Sequence, residues 1–157
     1  MSLRRSIAAT FLATALLCST VAPAAVYRVD DSGTVVGQPT TAMRWRKPAP
    51  GRAADDTVDG QLSVALRLNL QAWLNRRGRL YMGLEPAADG VRVQATWQTQ
   101  GRLLPGSLRD GSRTLVYEGP ITDPFLQESI LLHLTTDGRV LERVQSLRFF
   151  FELEVLP

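Results

Sequence analysis

Thiols, lysine and histidine are almost missing from this chain. One cysteine (Cys18), one lysine (Lys47) and one histidine (His133) stand against seventeen arginines in 157 residues. A single thiol closes no disulfide within the chain and supplies no Cys-ligated zinc site. A lone histidine is a poor start for a transition-metal centre, and no Gly-x-Ser-x-Gly nucleophile motif accompanies it. Neither a cofactor nor a metal is expected. Long hydrophobic runs are missing too. The longest apolar segment, Ile7–Leu17, is broken by Thr10 and Thr14 and falls well short of the roughly 20 residues a membrane-spanning helix needs. The chain is therefore not expected to be an integral membrane protein.

That apolar segment has a different meaning. Arg4 and Arg5 precede it, and the small residues Val21-Ala-Pro-Ala-Ala25 follow. A positive start, a short apolar core and an Ala-x-Ala end describe a cleavable secretory signal over residues 1–24. Cys18 leaves with it, and Leu17 directly before it is too large for a lipoprotein signal. Arginine in place of lysine, with many alanines, points to a GC-rich coding sequence and a bacterial export signal. The mature chain is expected in the periplasm or outside the cell. Arg4 and Arg5 are lost on cleavage and no acid is, which takes the formal charge from +3 to +1. A near-neutral domain has no strong sequence-independent pull on phosphates, so nucleic acid is not an expected partner.

What remains is dominated by period two. Leu62, Val64, Leu66, Leu68 and Leu70 alternate with Gln61, Ser63, Ala65, Arg67 and Asn69. Leucine favours helix, but alternation over this length argues for a half-buried strand. The same pattern returns at Leu80–Leu84, at Val91–Trp97, at Leu115 and Tyr117, from Leu126 to Leu134, and from Leu147 to Val155. Ser32-Gly33, Asp89-Gly90, Asp110-Gly111 and Asp137-Gly138 supply turns between them. A 3.6-residue stripe is lacking, apart from a short turn near Leu70–Leu74. The expected fold is all-β, a single antiparallel β-sandwich of immunoglobulin-like layout, without the cysteine and tryptophan pattern of true immunoglobulin domains. Residues 25–46 read as an N-terminal hairpin and strand region, with Val26–Val36 as the hairpin. Residues 47–60 read as a loop and 61–157 as the main sandwich, with 25–157 one domain.

Candidate sites are few. Trp73, Arg76, Arg77 and Arg79 put an aromatic beside three guanidinium groups, with Gly78 for a sharp turn. Guanidinium groups with an aromatic platform suit an anionic glycan, a lipid phosphate or a peptide carboxylate. The row Arg92, Gln94, Thr96, Gln98 and Gln100 is a polar ladder that could hold sugar or a partner. Phe150 faces away from Phe149 and Phe151, and with Leu131 it could form an association surface if their strands pair. Asp55, Thr57, Asp59 and Gly60 match the start of a calcium loop, but its twelfth position is Leu66 where a glutamate is needed. Glu152 and Glu154 share the outer side of the last strand and read as a solvated face.

These features favour a non-catalytic exported envelope or surface module that binds a protein, envelope glycan or lipid as an accessory, adhesin-like or assembly protein. The competing class is a small secreted enzyme or inhibitor working through a carboxylate site. The leader is directly testable. Mass spectrometry of protein exported by a bacterial host is expected to show a chain starting close to Ala25. An intact Met1 in the purified envelope fraction would contradict the secretory reading.

Overall fold

The structure is a computed structural model and describes residues 25–37, 42–47, 55–86, 92–139 and 147–157. The expected leader, residues 48–54 of the expected loop and the expected Asp89-Gly90 turn lie outside the described residues. The strands in chain order are β1 (Val26–Arg28), β2 (Val35–Val36), β3 (Arg44–Trp45), β4 (Thr57–Asn69), β5 (Arg77–Leu84), β6 (Val93–Thr99), β7 (Gly106–Arg109), β8 (Arg113–Pro120), β9 (Phe125–Asp137) and β10 (Phe149–Val155). One 3-10 turn, Gln71–Trp73, follows β4. The strands form two antiparallel sheets, ordered β1-β10-β5-β8 and β2-β4-β9-β6-β7, with β3 also on β4.

Alternation places the core where period two puts it. Val64, Leu66 and Leu68 of β4, Leu80, Met82 and Leu84 of β5, and Ile130, Leu132 and Leu134 of β9 are all buried. Most of their neighbours on the outer side are exposed or half-buried, as a half-buried sheet requires. β8 keeps the expected phase at Tyr117, which pairs with buried Leu80 and packs against the core, but not at Leu115, which pairs with Tyr81. Val116 and Gly119 are its buried residues, while Leu115 and Tyr117 are half-buried. The pairing of β8 with β5 shifts register between Leu80 and Tyr81, and such a bulge changes which side chains face inward.

The pairings nest. β6 pairs with β7, β5 with β8, β4 with β9 and β1 with β10. They form one long antiparallel ribbon whose apex is the connection between β6 and β7. The ribbon rolls up so that β10 lies along β5 and β9 along β6. This is a jelly-roll order, not the immunoglobulin-like layout expected from the sequence. Both layouts use the same short strands and turns, and only long-range pairing separates them.

Two local expectations change. The Val26–Val36 hairpin does not form, because β1 joins β10 in one sheet and β2 joins β4 in the other. The link between them turns on Asp30–Thr34, where the Ser32 N–H donates to Asp30 Oδ1 at 3.0 Å and the Thr34 N–H to the Asp31 carbonyl at 2.8 Å. Part of the expected loop is strand: β4 begins at Thr57 and pairs with β9 from Thr57↔Asp137 onward. Local aspartate and glycine read as loop, and thirteen residues of ladder pairing override them.

The apex is held by a side chain the sequence does not single out. Glu128 on β9 accepts the backbone N–H groups of Gly101 at 3.2 Å, Arg102 at 2.8 Å and Leu103 at 3.1 Å. Trp97 Nε1–H donates to the Leu104 carbonyl at 2.9 Å from the neighbouring strand. A charged acceptor on three successive amides is stronger than neutral bonds to each.

The three successive phenylalanines of β10 differ in environment. Phe151 is 2% exposed, and Phe149 at the strand start is only partly buried on the same side. Phe150 lies across Gly83 on the outer face, where a Cβ would overlap its ring. Phe151→Ala is expected to cost about 3–5 kcal/mol through lost burial and a residual cavity. Phe150→Ala is expected to cost clearly less, as measured by urea unfolding. Equal losses would mean that both faces of β10 are packed alike.

Candidate functional site

The Trp73–Arg79 segment sits at the end of the sandwich where β4 leaves for β5. Asn69 Oδ1 accepts the Gln71 N–H at 3.1 Å and starts the 3-10 turn. The chain then reverses at Asn75, whose φ is 62°. Asparagine tolerates this left-handed conformation better than most residues, so Asn75 makes the turn and Gly78 does not. Gly78 is inside β5, where a Cβ would lie 2.8 Å from Leu153 Cδ1 and 3.2 Å from the Glu154 carbonyl. Glycine is needed there for close packing. The turn is tied to its surroundings by Asn75 N–H to the Ile121 carbonyl (2.9 Å), Ile121 N–H to the Arg76 carbonyl (2.8 Å) and Leu156 N–H to the Arg77 carbonyl (2.9 Å).

On this fixed turn the four sequence-selected residues divide. Trp73 packs partly into the core and meets the Tyr27 ring at a centroid distance of 5.6 Å. Arg76 and Arg77 are exposed and form no ion pair among the described residues. Arg79 is different. Its guanidinium donates to both carboxylate oxygens of Glu118, at 3.1 and 3.4 Å, and this contact raises its pKa further. Arg79 is therefore occupied by Glu118.

Phe150 and Leu131 share no surface. Phe150 is on the outer face of the first sheet, and Leu131 is on the outer face of the second, 48% exposed between Ser63 and Gln98. Strands β9 and β10 belong to different sheets, so the pairing that would join these residues is absent. Phe150 is also engaged within the chain, with the Arg28 guanidinium 4.2 Å above its ring and Arg28 bonded to Glu85 at 3.3 Å. Tyr81 nearby is treated alike. Arg113 stands 4.7 Å over its ring and bonds Glu152 at 2.8 Å, while the Tyr81 hydroxyl donates to Glu154 at 2.9 Å. Burial, with the Glu154 bond, pushes the Tyr81 pKa up. Glu152 and Glu154 thus hold an arginine and a tyrosine in place.

At the opposite end of the sandwich lies an open depression of about 650 Å³. Arg92 and Gln94 from the expected polar ladder line it, together with Arg109 of β7 and Thr135 and Asp137 of β9. The sequence offers no signal for this grouping, because residues from three segments meet only through the β6–β7 and β6–β9 pairings.

The partial calcium-loop match has a different use. Asp59 points outward from β4 and receives Arg46 through both oxygens, at 2.8 and 2.9 Å, and Thr135 Oγ1–H at 2.9 Å. His133 Nε2 is 3.4 Å from the same carboxylate. Among the described residues, no three His, Cys, Asp or Glu side chains are grouped to hold a metal ion. The Arg46 bond, opposed by burial and helped by Thr135, lowers the Asp59 pKa to about 2. A carboxylate depressed from its unfolded value near 3.9 adds stability that is complete above about pH 4 and fades as pH falls through about 2. Asp59→Asn is expected to melt with a shallower pH dependence than wild type between pH 4 and 2. Parallel curves over that window would show that the pairing adds nothing to stability.

No family model matches this chain, and no curated protein does. Among solved structures, the chain is similar to one described as "Solution structure, dynamics and binding studies of CtCBM11", at 11% identity over 88% of this chain and 99% of that one, with a TM-score of 0.28. At that score the likeness carries no argument about binding. No helix among the described residues is long and apolar enough to cross a membrane.

Proposed function

We propose that this chain is a non-catalytic, exported binding module of the bacterial envelope, and that it engages an anionic partner through the Trp73–Arg77 end. One observation carries the reading. Arg76 and Arg77 stand exposed, with no ion pair among the described residues, on a turn whose backbone is bonded on both sides. Groups already held in position lose less freedom on binding, so more of each contact appears as affinity. The Tyr27–Trp73 pair beside them gives an aromatic flank. The export signal supports an envelope location, where acidic glycans and lipid phosphates present such charges.

The charges at this end are local, and exposed charges are screened within about 8 Å at physiological salt. Binding to phosphatidylglycerol vesicles or to acidic envelope polysaccharide is expected to weaken as salt rises. The double variant Arg76→Gln/Arg77→Gln is expected to lose about tenfold or more in affinity with an unchanged melting temperature, since loss of a charge-assisted bond costs about 1.5 kcal/mol or more. The Arg79→Gln variant is expected to bind as wild type. Unchanged binding by the double variant would overturn the reading.

A further inference from the structure

We infer that the depression at the other end is a second ligand site, built for the carboxylate of an acidic sugar unit. Gln94 on β6 pairs directly with Arg109 on β7 and with Thr135 on β9, so the three make one row across the sheet's outer face. Arg92, two residues before Gln94, lines the same depression. Both arginines have anchored backbones. The Arg92 carbonyl accepts Thr136 Oγ1–H at 2.8 Å. The Arg109 N–H and carbonyl are both engaged by the Ser112 hydroxyl, at 2.8 and 2.7 Å.

The charges in this depression are unevenly used. Arg139 is held by Asp137 at 2.6 Å and by Asp56 at 3.2 Å. Neither Arg92 nor Arg109 forms an ion pair among the described residues. A cleft with two such guanidinium groups suits a planar carboxylate, which a guanidinium fork grips through two bonds. The rest of the lining argues against a dense polyanion. Asp56, Asp110 and Asp137 equal the three arginines in number, and a chain bearing charge at every unit would press against them. A neutral sugar would leave the arginines unused. One carboxylate per unit, with hydroxyl groups around it, fits both halves of the lining. Gln94 can donate and accept, and Thr135 Oγ1, already donating to Asp59, still accepts. The volume of about 650 Å³ lies within the usual range for ligand sites of about 300–1,000 Å³.

This site is separate from the Trp73–Arg77 end, and the experiment keeps them apart by reading occupancy locally. A galacturonic acid oligomer, its methyl ester and a heparin fragment are titrated into the mature protein. Binding is read from the backbone amide shifts of Gln94 and Thr135 and by calorimetry. The acid form is expected to shift both amides saturably, with the ester about tenfold or more weaker. Arg92→Gln/Arg109→Gln is expected to weaken the acid form about tenfold or more, while Arg76→Gln/Arg77→Gln leaves these shifts unchanged. If the Gln pair lowers the melting temperature, Arg92→Lys/Arg109→Lys replaces it, keeping charge but losing the fork, with the same expected direction. Absence of acid-form binding, equal binding of acid and ester, wild-type affinity in the arginine variants, or tighter occupancy by heparin would each overturn the assignment.

Discussion

The pairing of β4 with β9 is the constraint on which the rest of the molecule depends. It runs unbroken for thirteen residue pairs, from Thr57↔Asp137 to Asn69↔Phe125. Because side chains alternate, this one register decides which residues of both strands enter the core and which reach the outer face. Leu66, Leu68, Ile130 and Leu132 go inward, and Asp59, Gln61, His133 and Thr135 go outward. The nested pairs β5–β8 and β6–β7 then complete the ribbon, and rolling it brings both sheets' apolar faces together. A slip of one residue between β4 and β9 would turn the whole set over, so burial fixes the register strongly.

The outer faces of the two sheets solve different problems. On the first sheet, two rings lie flat on the surface, each under a guanidinium group, and each arginine also bonds a carboxylate. Cation–ring contacts of this kind contribute about 0.5–1 kcal/mol at exposed sites, and the surrounding ion pairs are individually weak. Together they cover apolar ring surface with charge the chain itself supplies. The second sheet covers one ring in the same way, with Arg67 4.6 Å over Phe125, and also presents the Arg109–Gln94–Thr135 row, which lines the depression. Among the arginines without an ion pair in the described residues, Arg76 and Arg77 lie at one end of the sandwich and Arg92 and Arg109 at the other, Arg109 on a strand and the rest at or beside turns. That is where binding groups sit on most β-scaffolds, because the rigid sheets position loops that are free to vary.

The candidate residues were partly legible and partly not. Trp73, Arg76 and Arg77 are adjacent in sequence, so their clustering needs no fold to bring it about. Whether each cation is available does need the fold. Arg79 looks equivalent to its neighbours until β8 brings Glu118 beside it. Phe150 and Leu131 read as one surface only while their strands are free to pair. Glu128, which organises three amides at the ribbon apex, is an ordinary half-exposed glutamate in the sequence, because its partners are more than twenty residues away. Arg92 and Arg109 come to line one depression for the same kind of reason.

The sequence by itself determined the all-β class, the inward residues of β4, β5, β6 and β9, the short turn before β5, and the scarcity of cysteine, lysine and histidine. These follow from period two, turn chemistry and composition, which act over a few residues. Only the tertiary structure decided the jelly-roll order, the parting of β1 and β2 into different sheets, the strand start at Thr57, and which arginines stay unpaired. Each of those depends on pairing between segments far apart in the chain, and local patterns are compatible with several such pairings. The hydrophobic pattern says that a strand has a buried face; the partner it lies beside is set by which long-range register buries the most apolar surface at once.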